Sequence, residues 1–144
     1  MSNSDSLVYL TAPLVAWIMA QGIKVCIAIV KGPRTRRSLL LLFKSGYMPS
    51  SHSAIMFGLL TVVGMRDGFS SSLFAVVLVL TLIVIYDAAN VRRAVGEQGE
   101  VLHALAKLAK HQGEFYRARG HRISEVIVGS LLGIVVGWVV LQIL

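Results

Sequence analysis

Cysteine, charge and acidic clusters are all scarce in this chain, and each scarcity closes off a class of protein. Cysteine occurs once, as Cys26. No intramolecular disulfide can form, and its place inside an apolar run makes it a small buried or lipid-facing side chain. Charged residues make up 15% of the 144, fewer than a soluble domain of this length carries. The seven acidic residues are scattered, and no Cys/His spacing of the metal-binding type occurs. Neither a metal nor another cofactor is expected. The residues ahead of the first apolar run carry no basic residue, so that run reads as a retained span and not as a cleaved signal peptide.

Apolar residues fill the space that charge leaves. They make up 56% of the chain, the mean hydropathy is +0.74, and they are clustered. The clusters predict an all-α, integral membrane helical bundle in a single domain, 1–144. Four spans are expected, at about 7–30, 49–66, 72–89 and 123–144. The second is short against the roughly 20 residues a membrane helix needs, which is why it is started at Pro49.

The basic residues orient these spans. The formal charge is +7, and 13 of the 14 basic residues fall on one side of the predicted topology. Lys24 is counted there as a side chain that snorkels from the inner end of span one. Arg66 alone falls in the turn between spans two and three. The positive-inside rule puts both long connecting segments in the cytoplasm and both termini outside. The same bias, with anionic headgroups, accounts for the basic charge without nucleic acid as a partner. The protein is expected in the plasma (inner) membrane, among its lipids.

Two further patterns concern packing. Gly129, Gly133 and Gly137 repeat every fourth residue in span four, a spacing that lets another helix approach closely and makes a homodimer through glycine-rich faces an option. Glycines are also simply common in membrane helices. Between about 94 and 119, Val101, Leu102, Leu105, Leu108, Ala109, Gln112 and Phe115 recur at helical spacing with Lys107, Lys110 and Glu114 off the stripe. This predicts one amphipathic cytoplasmic helix, lying on the membrane, on a partner or over its own bundle. His103 and His111 on it read as solvated surface residues.

The chemistry-bearing residues gather at the cytoplasmic ends of three spans. Pro49-Ser50-Ser51-His52 reads as a helix start with proline in the first turn. The amides and hydroxyls of Ser50 and Ser51, with the helix dipole, would cradle phosphate, and His52 would donate a proton to a leaving oxygen. The competing reading is a serine-capped helix with an incidental histidine. His121 and Glu125 share a helix face at i, i+4. The carboxylate can fix the imidazole tautomer and leave the other nitrogen as a nucleophile; an ordinary surface pair is the alternative. Asp87, Arg92 and Arg93 end span three. Either arginine can fork onto phosphate oxygens or anchor the helix at headgroups, and Asp87 can orient an arginine or His52. Ionisable groups at membrane depth mark a site unless something else explains them.

Pro49-Ser50-Ser51-His52-Ser53 followed by Gly120-His121 and Glu125 resembles the phosphatidic acid phosphatase type 2 and vanadium haloperoxidase superfamily. The stretches KSGYMPSSHSA, IVIYDAANVRRAVGEQGEVL and GHRISEVIVGSLLGI are similar to its small divergent membrane branch. The resemblance implies that His121 is the nucleophile that becomes phosphohistidine and that His52 protonates the leaving group. Ser50 and Ser51 would form the phosphate-cradling turn. Glu125 stands where the larger superfamily usually has aspartate, and Ser51 where it has glycine. The superfamily's lysine followed by Arg-Pro is absent in that form, leaving Lys31, Arg34, Arg36, Arg37 and Lys44 as stand-ins. Phe115 occupies the place of its third-motif arginine, a role left to Arg92, Arg93, Arg117 or Arg119. The implied activity is a metal-independent, membrane-bound histidine phosphatase of lipid phosphates, with its site facing the cytoplasm. A non-hydrolytic carrier of lipid phosphate or anions and a catalytically inactive scaffold are the other two readings.

Overall fold

The computed structural model describes residues 3–31, 48–109 and 123–144, and among them every regular element is helical. In chain order they are α1 (Asn3–Lys31), α2 (Ser51–Arg66), α3 (Ser72–Tyr86), a π-helical turn (Asp87–Val91), α4 (Arg92–Leu108) and α5 (Ile123–Ile143). The all-α membrane bundle is therefore present. Three stretches are long and apolar enough to cross a membrane: Ser6–Val30, Ser72–Leu108 and Ile123–Ile143. The second runs through α3, the π turn and α4 as one helix. The remaining apolar run forms α2, whose 16 residues span only about 24 Å.

The short helix is the centre of the bundle. α1, α3 and α5 all pack on α2, and α1 also packs on α5. What allows this is small side chains. α1 presents Val8, Ala12, Ala16 and Ala20, all fully buried, as a ridge of fourth residues. α2 answers with Ala54, Gly58 and Val62, and α5 with Val136 and Val140. The large residues point the other way: Leu10, Leu14, Ile18, Leu82, Ile83, Leu131 and Val135 are all exposed. An interior of Ala, Val and Gly inside a shell of Leu and Ile suits a lipid surround, where close backbone approach and not apolar burial drives association.

The glycine repeat of α5 is used inside the chain. A Cβ at Gly129 would run into the Ser50 carbonyl oxygen, and one at Gly133 into the Ala54 carbonyl oxygen. At Gly137 it would sit 2.7 Å from the Gly58 carbonyl oxygen. α2 thus occupies the face that the spacing offered to a second copy. A dimer through that face would have to displace α2.

α2 and α3 join through a tight turn. Gly68 takes φ +91°, a left-handed conformation that glycine adopts without strain. Phe69 and Phe74 stack edge to face at 5.2 Å beside Gly64. At this end the Tyr9 hydroxyl donates to Asp67 Oδ2 at 2.7 Å, tying α1 to the turn. α3 buries only Val77 and Thr81, and the Thr81 hydroxyl is satisfied by the Val77 carbonyl at 2.7 Å.

Candidate phosphate site

The sequence puts the start of α2 two residues early. Helix α2 begins at Ser51, Ser50 is its N-cap with extended backbone, and Pro49 precedes the cap behind a cis Met48–Pro49 bond. The reason is the cap itself. The Ser50 hydroxyl accepts from the Ser53 amide at 3.4 Å and from the Ser53 hydroxyl at 3.0 Å, which requires non-helical backbone at position 50. The Ser50 amide is also engaged, donating to the Glu125 carbonyl at 2.9 Å. Ser50 is fully buried. Its amide and hydroxyl do not point outward as the sequence suggested; they hold the helix start together.

That same bond fixes Glu125. The first turn of α5 is pinned to the N-cap of α2, and Gly129, one turn further along α5, leaves the room for it. The first glycine of the repeat is therefore a positioning residue for this end of the bundle.

Lys24 is the residue that the sequence misplaced. It does not snorkel: only 4% of it is exposed, and its Nζ donates to the Ser51 hydroxyl at 3.1 Å. Glu125 lies within electrostatic reach of the ammonium, which offsets part of the cost of burying it. The signal was present. Lys24 lies four residues after Ala20, on the Val8–Ala12–Ala16–Ala20 ridge, so its side chain had to enter the bundle.

Lys24, Ser51 and Glu125 thus converge from three helices. His52 is half-buried, next to Ser51 in the first turn of α2. Ser51 and His52 lie in the first turn of α2, at the positive end of its dipole. A buried ammonium, a hydroxyl and a helix N-terminus at one point can hold an anion. Asp87 is half-buried at the C-cap of α3, where its amide donates to the Ile83 and Val84 carbonyls. The π turn it opens touches α5, so Asp87 lies at the same end of the bundle. Among the described residues no three His, Cys, Asp or Glu side chains are grouped to hold a metal ion.

The other expected site residues have no described side chain. Lys44, His121, Arg117 and Arg119 lie outside the described residues, and of Arg92 and Arg93 only the backbone, opening α4, is described.

A small-residue bundle with a polar cluster at the start of its central helix narrows the field, and comparison with known proteins decides it. The sequence matches the Divergent PAP2 family over residues 6–136. The chain belongs to that family. It is also 36% identical over 141 residues, 87% of this chain and 88% of the other, to a protein of Bacillus subtilis (strain 168) described as the uncharacterized membrane protein YuiD. No solved structure matches. The family match covers α1 as well as the motif-bearing segments, so Lys24 falls within the family's own region.

Proposed function

We propose that this protein is a membrane phosphomonoesterase that cleaves a lipid phosphate at the cytoplasmic face through a phosphohistidine. The observation that carries the reading is the Lys24–Ser51 hydrogen bond beside His52 and Glu125. A lysine is brought into an apolar bundle and held at a helix N-terminus, where a phosphoryl group would neutralise it. Membership of a PAP2-related family supports the same chemistry.

In this mechanism Lys24, the Ser51 hydroxyl and the first-turn amides of α2 bind the non-bridging oxygens, with an arginine from Arg92 or Arg93 as a further clamp. Lys44 and Asp87 are supporting residues for binding and orientation. A nitrogen of neutral His121, four residues before Glu125 in sequence, attacks phosphorus. The bond to the ester oxygen breaks, and His52 gives that oxygen its proton. Water then attacks the phosphohistidine, His52 takes the water's proton, and inorganic phosphate leaves. Positioning and electrostatic stabilisation carry the rate. The cluster lies at the α2 N-terminal end of an apolar bundle, where a substrate tail would stay in lipid while its head reaches Lys24. The positive-inside bias puts that end in the cytoplasm and both termini outside.

The test is phosphate release by purified protein from a panel of lipid phosphates, with His121→Ala as control and vanadate as inhibitor. Release that is lost in both supports the reading. Folded protein that binds vanadate without releasing phosphate from any lipid overturns it in favour of a carrier. Folded protein that does neither leaves the scaffold reading.

A further inference from the structure

We infer that α4 is an interfacial helix that lies in the plane of the membrane, with its apolar face in the acyl region and the π turn as its elbow. Three observations on α4 lead there, and none depends on the phosphatase reading. The first is length. α3 and the π turn together contribute about 20 residues, or roughly 30 Å, which already fills the hydrocarbon layer. Yet the helix continues to Leu108 and reaches 37 residues, about 55 Å if straight. α4 therefore begins where the bilayer ends.

The second is the pattern of α4. Val95, Val101, Leu102, Leu105 and Leu108 are all exposed, and at 100° per residue they fall within about 140° of the helix circumference. Glu97, Glu100, His103 and Lys107 are exposed on the remainder. Among the described elements, the substantial packing of α4 is on the π turn. Among the described residues nothing covers this broad apolar face.

The third decides the occupant. α4 is covalently continuous with α3, whose outward face is already a lipid-facing surface of Val76, Val79, Leu82, Ile83 and Tyr86. A π turn is a recognised point for a helix to change direction. Bending there carries the apolar face of α4 from lipid-facing α3 into the same lipid. Projecting straight on would leave those five residues in water. Arg92 and Arg93 sit at the elbow; beyond them residues 95–108 carry two acidic and one basic side chain, so electrostatic attraction to anionic lipid is not what holds the apolar stretch down. Apolar insertion is.

The experiment uses the full-length protein in lipid nanodiscs. Cys26→Ala removes the native thiol, and single cysteines at 101, 102, 103, 105 and 107 carry a spin label. Collision with oxygen and with a water-soluble nickel chelate reports depth. The expected result is a helical oscillation, with labels at 101, 102 and 105 several-fold more accessible to oxygen than to nickel and the reverse at 103 and 107. The pattern should be the same in zwitterionic and anionic nanodiscs, and unchanged when labelled protein is diluted with unlabelled. Uniform nickel access means a helix standing in water and overturns the inference. Labels at 102 and 105 shielded from both reagents mean a protein partner and overturn it too. Loss of the oscillation only in zwitterionic lipid overturns the apolar-insertion account.

Discussion

Lys24 and Ser51, 27 residues apart in the chain, meet in the interior of the bundle at 3.1 Å. Their meeting joins the ridge of α1 to the first turn of α2. A lysine ammonium in a mostly apolar bundle stays charged only where hydroxyl, carboxylate or bound anion compensates it. Ser51 and Glu125 supply the first two. A phosphoryl group is the third partner that the proposed function adds.

Replacing Lys24 by Met tests its place in the site. The expected result is a loss of phosphate release of about ten- to a hundredfold, the worth of one charged hydrogen bond to the reacting group. Vanadate should bind correspondingly more weakly. The melting temperature should fall, because Glu125 and the Ser51 hydroxyl lose the ammonium that compensates them, so release and vanadate binding are read on the folded fraction. Unchanged release would remove Lys24 from the site.

The two serines should fail differently. Ser50→Ala removes the α2 cap and is expected to cost about 1 kcal/mol of stability, read by thermal unfolding in detergent. Ser51→Ala leaves the cap intact and removes the acceptor for Lys24, so activity should fall more than stability. Equal melting shifts for the two would contradict this division.

Gly133→Ala should destabilise by about 1–3 kcal/mol, because the new methyl meets the Ala54 carbonyl and packed backbone cannot yield cheaply. Gly22→Ala is the control. A Cβ at Gly22 meets nothing within 4 Å, and alanine is the better helix former, so its melting point should not fall.

The two-histidine mechanism predicts a bell-shaped rate profile between about pH 5 and pH 9. The acid limb is protonation of the His121 nucleophile; the alkaline limb is loss of the His52 proton. Measured kcat/KM that stays flat across this range would argue against the pair.

Tyr9→Phe tests the far end of the bundle. It removes the donor to Asp67 Oδ2, an exposed bond whose loss is expected to cost no more than about 1 kcal/mol. Phosphate release at saturating substrate should be unaffected, because Asp67 caps the end of α2 opposite to Ser51.

Much of this molecule is written along the chain. The apolar runs and the break after Arg66 follow from local composition, as does the amphipathic stretch that becomes α4. The two motifs that hold His52 and Glu125 were legible as spacing, and the Ser50–Glu125 backbone bond joins the start of α2 to the first turn of α5; His121 lies outside the described residues. Lys24 was not read correctly because hydropathy alone treats a lysine near a span's end as a headgroup anchor; the alanine ridge leading to it was the better guide.

What tertiary structure alone decided is which faces meet. The glycine repeat announces a close neighbour but does not say whether that neighbour is a second copy or α2. The answer depends on residues far apart in the chain, Ser50 with Gly129 and Ala54 with Gly133, in register across a helix interface. In the same way a buried Ser50 is a cap and not a cradle because the Glu125 carbonyl and the Ser53 amide reach it. Local sequence sets which segments become helices, since backbone hydrogen bonds in lipid must close within them. Only packing between helices sets which side chains each one turns inward.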